Sequence, residues 1–264
     1  MKKIIVVSLL LVLLVGSTAF AGGQKEEGYI IGSDCTWPPF EYVDENGDIV
    51  GFEVDLIAAI SEYSKVPMTV RNVAWDGIFA GLSNGAYDAV VSGVTILDER
   101  KEVMDFTTPI LEVTQSILVT SSNTNISKSS DVVGKKIGVQ IGTTGQFALE
   151  AIGGVTIKSY DEIGLAVEDL LNNNLDAVVA DSIIAADFVL ANENYAGKLL
   201  VKGTLEGDKE QIGWAVKKGN SELLTILNDG IKAMQDNGTV AKLACGFRPT
   251  TISNVVKLAQ SELE

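Results

Sequence analysis

The chain has 264 residues, 46% of them hydrophobic, with 35 acidic against 20 basic side chains, a formal net charge of −15 and no histidine. So acidic a surface repels phosphate and argues against nucleic acid or an anionic membrane as partner. The lack of histidine excludes Ser-His-Asp and Cys-His catalysis and removes the commonest zinc ligand, so neither a metal nor a cofactor is expected.

Lys2 and Lys3, an apolar run from Ile4 to Val15 and the small residues ending at Ala19, Phe20 and Ala21 read as an export signal, residues 1–21, cleaved after Ala21. The run is shorter than the ~20 residues that cross a bilayer. No cysteine stands at the cleavage point to carry a lipid, so a free periplasmic protein is expected. Residues 22–28 are small and polar, a flexible start. Tyr29, Ile30 and Ile31 open a strand, and from Phe52 the period becomes helical. Val54, Leu56, Ile57, Ile60 and Tyr63 form one apolar face; Trp75, Ile78, Phe79 and Leu82 begin and continue another, stopped by Asn84 and Gly85. Glu112 to Thr120 alternates and is rich in β-formers. Lys136 to Val139 reads as a strand, Gly142 to Gly145 as the turn into a helix, and Asp161 to Leu171 as a further helix. Gln211 to Val216 is again strand-like, and Ser221 to Gln235 is an amphipathic helix stopped near Gly238, with Thr239 a fresh cap. The tail after Pro249 fits a short amphipathic helix of no evident function. Alternating strands and helices predict mainly parallel α/β sheets covered by helices.

One phrase occurs twice. Asp88, Ala89, Val90 and Val91 reappear as Asp176, Ala177, Val178 and Val179, each after a helix-like stretch. The order of elements around them also repeats, which predicts two similar lobes: residues 29–111 with 212–264, and residues 112–211. The runs at 112–120 and 211–216 are then two antiparallel crossings that form a hinge.

Ligands of α/β sheets sit at the carboxyl ends of strands, which places Arg100, beyond the first DAVV strand, opposite Asp181, at the end of the second. A zwitterion such as an amino acid fits between them. Arg100 offers a carboxylate two parallel hydrogen bonds, or it pairs with Asp98 or Glu99. Gly93 and Thr95 are small enough for backbone amides to approach a ligand. Thr143 and Thr144 open a helix that can hold the same carboxylate, or they cap that helix; Asp181 holds an ammonium, or caps the helix from Ser182 to Leu190. Trp37 and Trp75 present ring faces to a ligand side chain or pack in the core. Asp34 and Glu41 select a cation, or are solvated loop acids. Cys35 and Cys245 are too far apart in sequence to fix a disulfide, and that pairing stays open.

The stretches GSDCTWPPFEYVDENGDIVGFEVDLIAAI, AWDGIFAGLSNGAYDAVVSGVTILDERKEVMDFTTPI, IGVQIGTTGQ and DNGTVAKL, in that order, resemble the periplasmic solute-binding proteins for polar amino acids that feed ATP-driven importers. The resemblance spans nearly all of the chain beyond the leader. It implies a two-lobed periplasmic-binding-protein fold of type II and a monomer without enzymatic activity that captures a free amino acid and hands it to a membrane permease. It assigns Gly93, Thr95, Arg100, Thr143 and Thr144 to the ligand, Asp181 to its ammonium, and Asp34, Trp37 and Trp75 to its side chain. Asp34, Glu41, the two tryptophans and Gln140 look like those of arginine or lysine binders; a glutamine binder is the alternative. A cyclohexadienyl-dehydratase-like enzyme, with Glu41 or Asp34 as proton donor, is the reading of a different class, and a sensor domain would need a membrane helix to an output domain.

Overall fold

The computed structural model describes residues 28–191 and 193–246; the expected signal peptide, nearly all of the flexible start and the tail after Pro249 fall outside them. Strand β1 (Tyr29–Ser33) leads into an antiparallel meander of β2 (Thr36–Trp37), β3 (Glu41–Val43) and β4 (Ile49–Val50). Strands this short carry no periodic signal, so sequence reading passes over them. Between β3 and β4 the Asp44 carboxylate accepts hydrogen bonds from the amides of Asn46 and Asp48, which closes the turn. There follow α1 (Phe52–Ser64), β5 (Met68–Asn72), α2 (Ile78–Asn84), β6 (Ala89–Val90), α3 (Asp98–Val103) and β7 (Met104–Phe106). The chain crosses by β8 (Leu111–Val113) and builds β9 (Gln115–Thr120), β10 (Lys136–Gln140), α4 (Thr144–Ile152), β11 (Thr156–Tyr160), α5 (Ile163–Leu171), β12 (Ala177–Asp181), α6 (Ser182–Leu190) and β13 (Leu199–Thr204). It returns by β14 (Glu210–Ile212) to β15 (Ala215–Lys217), α7 (Ser221–Asp236) and α8 (Thr239–Gly246).

The strands form two five-stranded sheets, ordered β5-β1-β6-β15-β7 and β11-β10-β12-β9-β13. In each, four strands point one way and one is reversed: β15 in the first sheet and β9 in the second. These are the two strands entered directly from a crossing. Strands β8 and β14 pair antiparallel, Glu210 opposite Val113 and Ile212 opposite Leu111, and make the two-stranded link between the sheets. Each sequence run expected to be a crossing therefore divides in two. Gln115 to Val119 are all buried within the second sheet, and Ala215 and Val216 within the first. An alternating pattern does not tell a crossing strand from the sheet strand that continues it.

The repeated DAVV phrase has a physical cause. In both sheets its strand lies beside the strand that opens the unit, pairing Ile31 with Ala89 and Ile137 with Ala177. The aspartate before it accepts from the first strand's backbone, Asp88 from Ile30 N at 2.8 Å and Asp176 from Lys136 N at 2.8 Å. Gly32 and Gly138 leave room for the residue preceding each phrase. A Cβ on Gly32 would come within 2.8 Å of the Tyr87 ring, and one on Gly138 within 2.6 Å of Leu175 Cδ1.

Helices such as α1 and α7 cover the sheets by turning an apolar stripe inward. Leu56, Ile57 and Ile60 of α1 and Leu223, Leu227 and Ile231 of α7 are buried in one core, so α7 packs back on the first sheet after the chain has left it. Gly230 lets the two helices meet, since a Cβ there would stand 2.5 Å from Ile60 Cγ2. Asn220 caps α7, its side chain accepting from Leu223 N. Cys35 is buried, its Sγ 3.6 Å from the Ser33 carbonyl, and burial pushes its thiol pKa up to about 11. The side chain of Cys245 lies outside the description.

Candidate functional site

The sheets face each other across a cleft of about 400 Å³, open solvent at its mouth included. Of the residues singled out from sequence, Asp34, Trp37, Trp75, Gly93, Thr95, Arg100, Gln140, Thr143, Thr144 and Asp181 all line it, and Glu41 does not. Ser92, Gln115 and Ala180 complete the wall. Most stand where strands of the two sheets end: Asp34 after β1, Ser92 to Thr95 after β6, Gln140 on β10 and Asp181 on β12. Gln115 escaped sequence reading because it opens β9 with no motif around it.

Arg100, on α3, donates from Nη1 to the Thr95 carbonyl at 3.0 Å and from Nη2 to the Gly142 carbonyl at 3.2 Å. Its guanidinium carbon lies 4.9 Å from the centre of the Phe79 ring. It does not pair with its neighbours in sequence; Asp98 is taken by Lys101 at 2.9 Å. Burial lowers its pKa to about 10, against the pull of Glu210, Asp181 and Glu99, so it stays charged at neutral pH. No described carboxylate forms an ion pair with it.

Asp181 precedes α6 without capping it by a side-chain hydrogen bond. Its Oδ1 accepts from Gln115 Nε2 at 2.6 Å. Burial pushes its pKa up to about 7, and Glu210 adds to the rise, while Gln115 and Arg100 act the other way. Glu210, on the return crossing β14, is the acid that sequence reading missed. Its Oε2 accepts from Thr144 Oγ1 at 2.6 Å, Thr95 Oγ1 at 3.1 Å and Gln115 Nε2 at 3.3 Å. A glutamate in a polar stretch gives no signal that folding will bring it to a site built from residues 34 to 181.

Besides the bond from Thr95 to Glu210 at the crossing, four contacts span the cleft. Trp75 Nε1 donates to the Ile141 carbonyl at 2.8 Å, Gln140 Nε2 to Asp34 Oδ2 at 2.8 Å and Arg100 to Gly142, while the Thr95 and Thr144 hydroxyls lie 3.5 Å apart. Trp75 stands in the loop before α2 rather than beginning that helix, half-buried and edge-on to Phe79. Trp37 serves both roles considered for it, since it lines the cavity and belongs to the core. Gly93, at φ +53, makes room beside it, and a Cβ there would lie 3.1 Å from Trp37 Cδ1. Thr143 is the N-cap residue of α4 by position, but its hydroxyl donates to the Gln140 carbonyl instead of capping.

Neither loop acid is solvated. Asp34 is buried, which raises its pKa, though hydrogen bonds from Gln140 and Thr36 hold the rise back. Glu41 is fully buried behind Ser92, whose hydroxyl donates to it at 3.0 Å, and is absent from the cavity wall. It cannot reach a ligand, either as a charge partner or as a proton donor. Among the described residues no three Cys, Asp or Glu side chains group as metal ligands.

The family described as bacterial extracellular solute-binding proteins, family 3, matches residues 29–247. The chain is 33% identical over 223 residues to the L-cystine-binding protein TcyJ of Escherichia coli strain K12, covering 83% of this chain and 82% of that protein. It is 31% identical over 250 residues to the ABC transporter arginine-binding protein 1 of the same strain, covering 94% of this chain and all of that one. Among solved structures, an ancestral arginine-binding protein bound to glutamine superposes with a TM-score of 0.78 at 37% identity, over 84% of this chain and 97% of the other.

Proposed function

The chain belongs to the bacterial extracellular solute-binding proteins of family 3, and from that premise we propose that it is the periplasmic capture component of an ATP-driven amino-acid importer, holding a basic L-amino acid, arginine or lysine. The observation that carries this reading is the charge pattern of the cavity. Arg100 donates to two backbone carbonyls and has no carboxylate partner, while Asp181 and Asp34 give two acids in the wall around one permanent cation, and Glu210 a third that holds the wall hydroxyls of Thr95 and Thr144. A ligand with one carboxylate and two cationic groups balances that set better than a neutral zwitterion does. In this reading Arg100, Thr95, Thr143, Thr144 and the backbone near Gly93 take the α-carboxylate. Asp181 takes the α-ammonium, and Asp34 and Gln140 meet the side-chain cation between the faces of Trp37 and Trp75.

The lobes are residues 29–111 with 212–264, and residues 112–211. The paired crossings β8 and β14 are where a few backbone dihedrals swing one lobe on the other. Closure brings Trp75 and Arg100 of one lobe onto the carbonyls of Ile141 and Gly142 of the other, and the closed monomer docks on its permease. No bond is made or broken, in keeping with the relatives, which are named as binding proteins. One observation favours glutamine as a second reading: the Asp34 carboxylate and the Gln140 amide lie side by side, and together match a ligand amide's donor and acceptor.

The test is a thermal-shift screen of refolded protein, stripped of carried ligand, against the twenty amino acids, ornithine, cystine and prephenate, followed by calorimetry on the hits. Binding to the native state alone must raise the melting temperature. Shifts with arginine, lysine or ornithine support the basic assignment; a shift with glutamine alone replaces it with the second reading. A shift with prephenate alone would overturn the capture role.

A further inference from the structure

We propose that Glu41 and Glu53 share a single proton, carried by Glu41, and that this buried acid–carboxylate pair is the positioning element that holds the Ser92–Gly93 turn in the wall of the cavity. Both side chains are fully buried, at 0% exposure. Glu53, in the first turn of α1, accepts at Oε2 from Gly93 N at 2.9 Å and at Oε1 from Trp214 Nε1 at 2.9 Å. Glu41, on β3, accepts at Oε1 from Ser92 Oγ at 3.0 Å, and Ser92 Oγ in turn accepts from Asp34 N at 2.9 Å. The other oxygen of Glu41, Oε2, is buried with no donor among the described residues.

Glu53 N donates to the Phe40 carbonyl at 2.9 Å, which sets Glu53 beside Glu41 so that the two carboxyl groups act on each other, and no described lysine or arginine forms an ion pair with either. The next charged group acting on Glu41 is Asp34, a third acid. Two adjacent carboxylates without a cation cannot both stay ionised away from water. A proton on Glu41 Oε2 removes one charge and supplies the donor that the oxygen pair lacks. Glu53 is the better anion, because two N–H groups already point at it and it stands at a helix N-terminus. Burial and the neighbouring acid hold the Glu41 pKa well above the usual carboxylate range, in accord with this arrangement.

Each member of the pair thus fixes one residue of the turn, Glu41 the side chain of Ser92 and Glu53 the backbone of Gly93. Trp214, on the chain returning from β14, is held by the same carboxylate. Loss of the proton would place a second charge in the core behind the cavity and release the turn that carries Gly93 against Trp37.

Two variants and one spectrum test this. Glu41→Gln reproduces the protonated form, with an oxygen for Ser92 and an N–H for Glu53 but no proton to lose. It should fold, keep ligand affinity within about threefold of the parent, and lose the part of the parent's fall in melting temperature that a buried acid causes as pH rises above the ordinary carboxylate range. Glu53→Gln leaves one oxygen for the donors of Gly93, Trp214 and Glu41, and should weaken binding more than tenfold. In the infrared at pH 7, the parent-minus-Glu41→Gln difference should contain the carbonyl stretch of a protonated carboxylic acid. The absence of that band, a Glu41→Gln chain that does not fold, or one that binds as poorly as Glu53→Gln would each overturn the proposal. The melts and the spectrum need no ligand, so this proposal and the assignment of a basic amino acid fail separately.

Discussion

Asp181 should make ligand capture depend on pH with a slope that can be calculated. Its carboxyl, buried and close to Glu210, has a pKa of about 7, and only its ionised form pairs with an ammonium. Apparent affinity scales with the ionised fraction. Affinity for arginine, which changes no charge over this range, should therefore fall about tenfold per pH unit below 7. At pH 5, with about 1% of Asp181 ionised, it should be roughly 100-fold weaker than the plateau above pH 8, a difference of about 2.7 kcal/mol. The ligand-free protein should respond in the opposite sense. A carboxyl whose pKa is raised on folding contributes stability that is complete below its unfolded pKa and is lost as pH rises through its folded value. For Asp181 that amounts to about 4 kcal/mol at most, lost between about pH 4 and pH 7. The melting temperature without ligand should thus decline across the interval in which the ligand-induced shift grows. Titration calorimetry from pH 5 to pH 8.5, in two buffers of different ionisation heat, reads both the affinity and the proton released on binding. Asp181→Asn should bind 30-fold or more weakly, because one partner of a buried pair is lost, and should show no slope. An affinity in the parent that is flat between pH 5 and pH 8 would refute the reasoning.

Arg100→Lys keeps the charge but loses the planar fork that reaches Thr95 and Gly142; affinity should drop at least tenfold in calorimetry. Trp75→Phe removes the hydrogen bond to Ile141 across the cleft, worth about 1 kcal/mol net, so the ligand should bind about fivefold more weakly with the ligand-free melting temperature nearly unchanged. Glu210→Gln should make the Asp181-dependent pH profile shift to lower pH, since one cause of its raised pKa is gone; a profile that stays in place would show that burial alone sets it. Gly230→Ala drives a methyl group into Ile60 and should cost about 1 to 3 kcal/mol of stability by chemical denaturation, with ligand stoichiometry unchanged.

The sequence by itself determined what local chemistry determines. Helical spacing marked α1, α5 and α7, the repeated DAVV announced two units of like build, and strand ends placed Arg100 and Asp181 on opposite sides of one cleft with Gly93 and Thr95 beside them, while Gln140 entered through the family resemblance. Asp181 closes β12 and Gly93 follows β6 within three residues, so the ends of those strands bring them to the cleft. Only the tertiary structure decided the rest. Whether a run such as 112–120 crosses between sheets or belongs to one depends on partners far along the chain. Gln115 reaches the cavity, and Glu210 the Thr95 and Thr144 hydroxyls in its wall, because β9 and β14 start at the hinge, a placement that no residue near either of them encodes. Glu41 reads from sequence as a cation selector or a solvated loop acid, and nothing in the sequence marks Glu53. Folding of the meander over α1 takes both out of water and sets them together, and burial rather than composition gives them their chemistry.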